Sequence, residues 1–227
     1  MEIERKLKAL AAVCTVYDEF AAARAAACRP HCTTCCTTHV TVTTLEAYRI
    51  REALSLGQWS ELMERLAGQA HLPRFRPTLT TNALASICAA GGDPPVETEE
   101  GLPAACPLLA ADLCSIYALR PFNCRCFTSC RPCGPTGYAD VEEFVVSLNT
   151  VFLQTIEHLD SDGCSGNLLD VLAVMADEAK RRAYAAGAPA CSADGLIANR
   201  PMRVLMLPPE HRAQAEPFLK KLRQIRV

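Results

Sequence analysis

A mostly α-helical domain, with irregular cysteine-bearing loops and at most a small β-hairpin, is the fold this sequence predicts. Three observations predict it. Apolar residues recur at three- and four-residue steps along much of the chain, alanine is enriched, and apolar–polar alternation is confined to short pieces. The 227 residues, 50% of them hydrophobic, suffice to bury a core of ordinary size, so 1–227 reads as a single domain. Within it, 27–127 is a cysteine-cluster region and 138–227 a C-terminal helical region.

Ile3, Leu7, Leu10, Cys14 and Tyr17 mark the apolar face of a first helix that runs to about Cys28, where Arg29-Pro30 stops it. Thr43-x2-Glu46 has the form of a capping box and opens a second helix through Ala47, Ile50 and Leu54, ended near Gly57. Trp59, Leu62, Met63 and Leu66 make a third. Thr81 to Ala90 reads as a short fourth, with Leu84, Ile87 and Cys88 inward. Cys106 to Tyr117 reads as a small hairpin or two extended segments, and Cys124 to Gly137 as loop. Asp140, Glu142 and Glu143 start a strong helix with Phe144, Val145, Leu148, Phe152, Ile156 and Leu159 on one side. Another runs from about Asn167 to Ala186, Val204 to Leu207 is extended, and Pro208-Pro209-Glu210 opens a last helix that contains Pro217.

With 23 basic against 25 acidic residues, nothing in the charge suggests a nucleic-acid or anionic-membrane partner. No stretch approaches the roughly 20 apolar residues of a membrane span. The charged start of the chain lacks the apolar run of a secretory signal, so a cytoplasmic location is expected, with thiols kept reduced rather than paired in disulfides.

The informative feature is the bunching of cysteines. Ten of the 14 fall in Cys28-x3-Cys32-x2-Cys35-Cys36 and in Cys106 through Cys133. Thiolates so dense in one chain usually share a metal, because ligands a few residues apart converge at little extra entropic cost. A C-x3-C-x2-C run, which suits an iron–sulfur cluster, occurs twice, as Cys28/Cys32/Cys35 and as Cys126/Cys130/Cys133. The strand and barrel context of the radical enzymes that use this spacing is absent from the flanks, so that assignment is rejected.

Cys28-x3-Cys32-x2-Cys35-Cys36, followed by Cys106-Pro-Leu-Leu, Cys114-Ser-Ile-Tyr, Arg120-Pro121 and Cys124-Arg125, resembles the YkgJ family of cysteine-cluster proteins. That family is described as a zinc- or iron-chelating domain, with the pattern CxxCxxCC, CPxL, CxIYxxRPxxCR; here one extra residue separates the first two cysteines. The resemblance covers about Ala27 to Phe127 and implies metal ligation by Cys28, Cys32, Cys35, Cys36, Cys106, Cys114 and Cys124. A related group, the flagellin lysine-N-methylases, carries a similar cluster.

Seven candidate ligands exceed the four of a closed zinc site, which leaves a cluster with spare thiols, two metals, or one metal with several cysteines merely buried. Cys126, Cys130 and Cys133 lie outside the family pattern and could host a second centre, with Cys164 or Cys191 as a fourth ligand, or be incidental thiols. Cys14 and Cys88 are expected in the core. His31 and His39 adjoin the first group and could complete a mixed site, or face solvent. Arg120 and Arg125 could bind the cofactor by donating to its sulfurs or to an anionic ligand, or could hold the loop by a salt bridge. Tyr117 is expected to pack in the core. Asp160-x-Asp162-Gly163 lacks the further ligands of a calcium loop. The functional expectation is a metal-binding protein holding an iron–sulfur cluster in preference to zinc. A structural or carrier zinc protein and a cluster-dependent lysine methyltransferase, with a protein substrate or partner, are the alternatives.

Overall fold

The structure is a computed structural model that describes residues 2–29, 31–97, 102–188, 191 and 195–225. It is 52% helical, with small antiparallel sheets of two and three strands. The first helix, α1 (Glu2–Ala22), buries Ile3, Leu10, Val13, Cys14, Tyr17 and Phe20 along one face, as the periodicity predicts. It ends six residues before the expected Cys28, so the first cysteine group lies wholly in loop.

Then follow β1 (Thr41–Thr43), α2 (Thr44–Ala53), α3 (Leu56–Gly68) and α4 (Thr81–Ala89). The Thr43/Glu46 capping box is present, and a second one, Ser55 with Gln58, starts α3. In α4 the inward residues are Asn82, Ala83 and Ala85, while Cys88 is exposed, which corrects its expected place in the core. The helix is held by polar groups: the Asn82 side chain donates to the carbonyls of Gln154 (3.1 Å) and Arg200 (2.9 Å).

A hairpin of β2 (Leu109–Ala110) and β3 (Leu113–Cys114) precedes a short helix, α5 (Phe122–Cys126), where loop was expected. The long α6 (Glu143–Leu159) buries all six residues that the sequence places on its apolar side. It leads to β4 (Cys164–Asn167), α7 (Leu168–Ala176) and α8 (Glu178–Ala185). The helix expected over 167–186 is thus two helices. Asp177 leaves the helical conformation and caps α8 by accepting from the N–H groups of Ala179 and Lys180. The extended segment near the C-terminus is β5 (Leu196–Ala198) rather than Val204 to Leu207, and α9 (Arg212–Gln224) closes the chain.

The sheet β1-β4-β5 exceeds the single hairpin expected; its strands come from distant segments and are too short for a period to show. It acts as a launching edge. Thr43 at the end of β1 caps α2, and Asn167 at the end of β4 caps α7. Asp160, fully buried after α6, ties this edge together: its carboxylate accepts from the Thr44 hydroxyl (2.6 Å), the Leu45 N–H (3.0 Å), the Tyr184 hydroxyl (2.5 Å) and the Asn199 amide (3.1 Å). Gly163 is obligatory beside it, since a Cβ there would meet Thr44 Oγ1 at 2.2 Å and Asp160 Oδ1 at 2.3 Å. The motif that fails as a calcium loop is a structural clasp.

Cys164 and Cys191 form a disulfide with Cα atoms 5.6 Å apart, joining β4 to the segment before β5. This corrects the expectation that all thiols are free, and it removes both residues as fourth ligands of a second centre. Among the described residues, no helix is long and apolar enough to cross a membrane.

Candidate metal centre

Three cysteine segments meet because backbone groups seam them together. The N–H of Cys106 donates to the carbonyl of Cys36 (3.0 Å), and the N–H of Thr38 donates to that of Ala104 (2.9 Å). Thr37 and Ala105 form an isolated antiparallel bridge, and the Ala104 N–H donates to Thr38 Oγ1 (3.1 Å). On the other flank the Ala27 N–H donates to the carbonyl of Ser129 (2.8 Å). The loop that carries Cys28 to Cys36 therefore lies between the other two, and the chain turns tightly within it, with His31 at φ 64° and a Cys36 N–H to Thr33 carbonyl bond of 2.8 Å.

Cys106 and Cys114 occupy the feet of the hairpin. Ala111 and Asp112, at φ 49° and 60°, supply the two left-handed residues of its turn, and Leu109 pairs with Cys114. Each thiol receives a backbone N–H from two residues further on, Leu108 for Cys106 and Ile116 for Cys114. Such N–H to sulfur bonds favour the thiolate that a metal requires.

Cys124 is placed by α5, and α5 is placed by Glu46. One carboxylate oxygen of this buried residue accepts from the Thr43 N–H (2.9 Å), and the other accepts from the Phe122 N–H (2.7 Å) at the start of α5. The capping box thus serves two helices at once. Asn123 adds a clamp by donating to the carbonyl (2.8 Å) and hydroxyl (2.9 Å) of Thr41. Phe122 stacks on Phe152 at 5.6 Å and meets Tyr17 edge-on at 4.7 Å, which locks α5 to α1 and α6.

The thiols feel one another in two groups. In the first, burial pushes Cys106 up to about 11 and raises Cys124 further, with Cys106, Cys114, Glu46 and Cys35 adding to it. Burial also raises Cys114, against the nearby charge of Arg120. Cys36 is lowered instead, because the Cys35 thiol hydrogen-bonds it, and Cys35 is raised by the same bond. In the second group, burial raises Cys28, while the Ser129 backbone opposes this by hydrogen-bonding its sulfur; Cys32, Cys35 and Cys133 add to the rise. The thiols are neighbours without converging on a point: among the described residues, no three His, Cys, Asp or Glu side chains are placed so as to hold a metal ion. An uncompensated thiolate is costly in such surroundings, and a bound cation would compensate it.

The remaining candidates separate. Cys126 faces inward from α5, buried in the core, where desolvation pushes it up to about 12. Cys130 is exposed on the Ser129 loop, as are Cys28 and Cys32 in theirs. The buried Arg125 pairs with Asp18 at 2.7 Å, and Arg120 stacks over Tyr117 with its guanidinium 4.0 Å from the ring centre. Tyr117 is 65% exposed, which corrects its expected place in the core. Of the two expected histidines, His31 is exposed and His39 half-buried. Two residues that organise the centre, Glu46 and Asn123, escape sequence reasoning. The capping box signals Glu46, but nothing local signals its second bond to Phe122.

Compared with protein-family models, curated proteins and solved structures, the chain finds no match in any of the three.

Proposed function

We propose that the chain is a metal-binding protein whose centre is held by the thiolates of Cys36, Cys106, Cys114 and Cys124, with an iron–sulfur cluster as preferred occupant and zinc as the alternative. One observation carries this reading: the seam from Cys36–Thr38 to Ala104–Cys106 joins the backbones of two half-buried cysteines, Cys36 and Cys106, that lie far apart in sequence. The donors are all sulfur, which suits iron or zinc and disfavours calcium or magnesium. The N–H to sulfur bonds at Cys106 and Cys114 supply the outer shell that thiolate centres need. The cluster is preferred because all four donors are cysteine thiolates, the ligand set that iron–sulfur clusters use. When bound, a cluster would supply one-electron chemistry; zinc would supply a tie between loops.

The resemblance to the YkgJ family enters the proposal on the same residues, since its two motif halves are the segments that the seam joins. A cytoplasmic location belongs to this reading as well, because twelve free thiols stay available as ligands only under reducing conditions. The disulfide is compatible with it, as Cys164 is fully buried.

Anaerobic purification, elemental analysis and a visible spectrum test the proposal. Iron with inorganic sulfide and a brown colour are expected, and stoichiometric zinc in colourless protein selects the alternative. Cys106→Ser and Cys124→Ser should each remove most of the metal. Full retention in both variants contradicts the shared centre.

A further inference from the structure

One arm of the chain supplies two of the four donors that hold Asp160, Tyr184 near the end of α8 (2.5 Å) and Asn199 just after β5 (3.1 Å). Cys191 lies between them in sequence and is bonded to Cys164 on β4. The Cys164 N–H donates to Thr44 Oγ1 (3.0 Å), and Thr44 Oγ1 donates to Asp160 (2.6 Å), so the disulfide stands one residue away from the clasp. Beside it, the Asn199 N–H donates to the Gly163 carbonyl (3.0 Å) and Ser165 Oγ donates to Asn199 Oδ1 (2.6 Å). β5 meets β4 over three residue pairs alone, and so short a pairing holds little by itself. The covalent bond is what fastens Tyr184 and Asn199 to β4.

The two sulfurs are unequally sheltered. Cys164 is fully buried, whereas Cys191 is half-buried at the margin of the core, so a thiolate from solvent reaches Cys191 first. The other twelve cysteines are free. In a compartment reducing enough to keep them so, a disulfide is usually one that forms and breaks in response to redox conditions.

We propose that Cys164–Cys191 is a redox-sensitive latch on the Asp160 clasp: closed, it holds the start of α2 through Thr44 and Leu45, and cleaved by a dithiol reductant, it lets that edge open. A thiolate of the dithiol attacks the Cys191 sulfur, the bond to Cys164 breaks, and Cys164 leaves as a thiolate that takes up a proton. The second thiolate of the reductant then attacks its own partner sulfur in the mixed disulfide, closes the reductant's disulfide and releases Cys191, which is protonated in turn. Two electrons pass from the dithiol to the protein. Reclosure runs the same steps backwards against a disulfide oxidant. The latch rests on the reducing location in the proposed function and on no bound metal.

Full-length protein treated with dithiothreitol without denaturant is followed by alkylation mass spectrometry and amide-resolved hydrogen exchange. One disulfide should be lost. The amides of Leu45, Cys164 and Asn199, held by the clasp and its surroundings, should then exchange at least about tenfold faster, and those in the middle of α6 should change less. Cys191→Ser should show the accelerated pattern without reductant and no further change on its addition. A disulfide that dithiothreitol leaves intact in the folded protein overturns the latch, as does cleavage that leaves the three amides unchanged. Equal acceleration throughout the chain also overturns it, because it marks a staple of the whole fold. Further disulfides among the other twelve cysteines in freshly alkylated protein would overturn the reducing location and the latch with it.

Discussion

Asp160→Ala is expected to lower stability by about 5 kcal/mol, because it strands four buried donors that each cost about 1–3 kcal/mol when unpaired. That is a large part of the roughly 5–15 kcal/mol that holds a domain together. The donors come from Thr44, Leu45, Tyr184 and Asn199, so the loss would loosen α2, α8 and the end of β5 together. Urea denaturation measures it. A cost below about 1 kcal/mol, the size of one ordinary hydrogen bond, would refute the clasp.

The same residue gives the protein a pH dependence. Burial pushes the Asp160 carboxyl up to about 6, against the hydrogen bonds it accepts and the charge of Lys6. A carboxyl raised on folding contributes stability that is complete below its unfolded value of about 4 and is lost as pH rises through 6. Two units correspond to roughly 3 kcal/mol. Asp160→Asn cannot titrate, so the advantage of wild type over this variant should shrink by about that amount between pH 4 and pH 7. A constant or growing advantage would contradict the sign.

Glu46→Ala carries the second large effect, because it reaches the proposed metal centre through the fold. It leaves the Thr43 and Phe122 N–H groups unpaired in a buried place and removes the anchor of α5. A loss of about 3 kcal/mol is expected. Bound metal should fall as well, although Glu46 is itself no ligand, because Cys124 loses its position. Elemental analysis of folded variant protein reads this directly, and full metal content together with unchanged stability would contradict the role.

Much of this organisation is legible in the sequence where the cause is local. The apolar face of α6 and the capping box at Thr43 follow from spacing, and of the hairpin or two extended segments read between Cys106 and Tyr117 the fold has the hairpin. Boundaries fail where tertiary contacts decide. The alanine run after Ala22 has helical propensity but runs on into the loop hydrogen-bonded to Ser129, and Asp177 prefers capping to continuing a helix. Cys88 follows an apolar period, yet α4 is oriented by the hydrogen bonds of Asn82, which turn it outward. The Cys164–Cys191 pairing could not be deduced from spacing, since it joins β4 to a residue 27 positions on that lies in no strand or helix. At the proposed centre, the sequence identifies the thiols, whereas only the fold buries Cys126 in the core and leaves Cys124, two residues away, half-buried.

X-ray absorption at the metal edge of anaerobically purified protein is the most direct test of the claim that thiols from distant segments share one centre. We predict a first shell of sulfur alone, at about 2.3 Å for either iron or zinc, that is lost in Cys124→Ser. A shell dominated by nitrogen or oxygen, or a sulfur shell unchanged by that substitution, would contradict it.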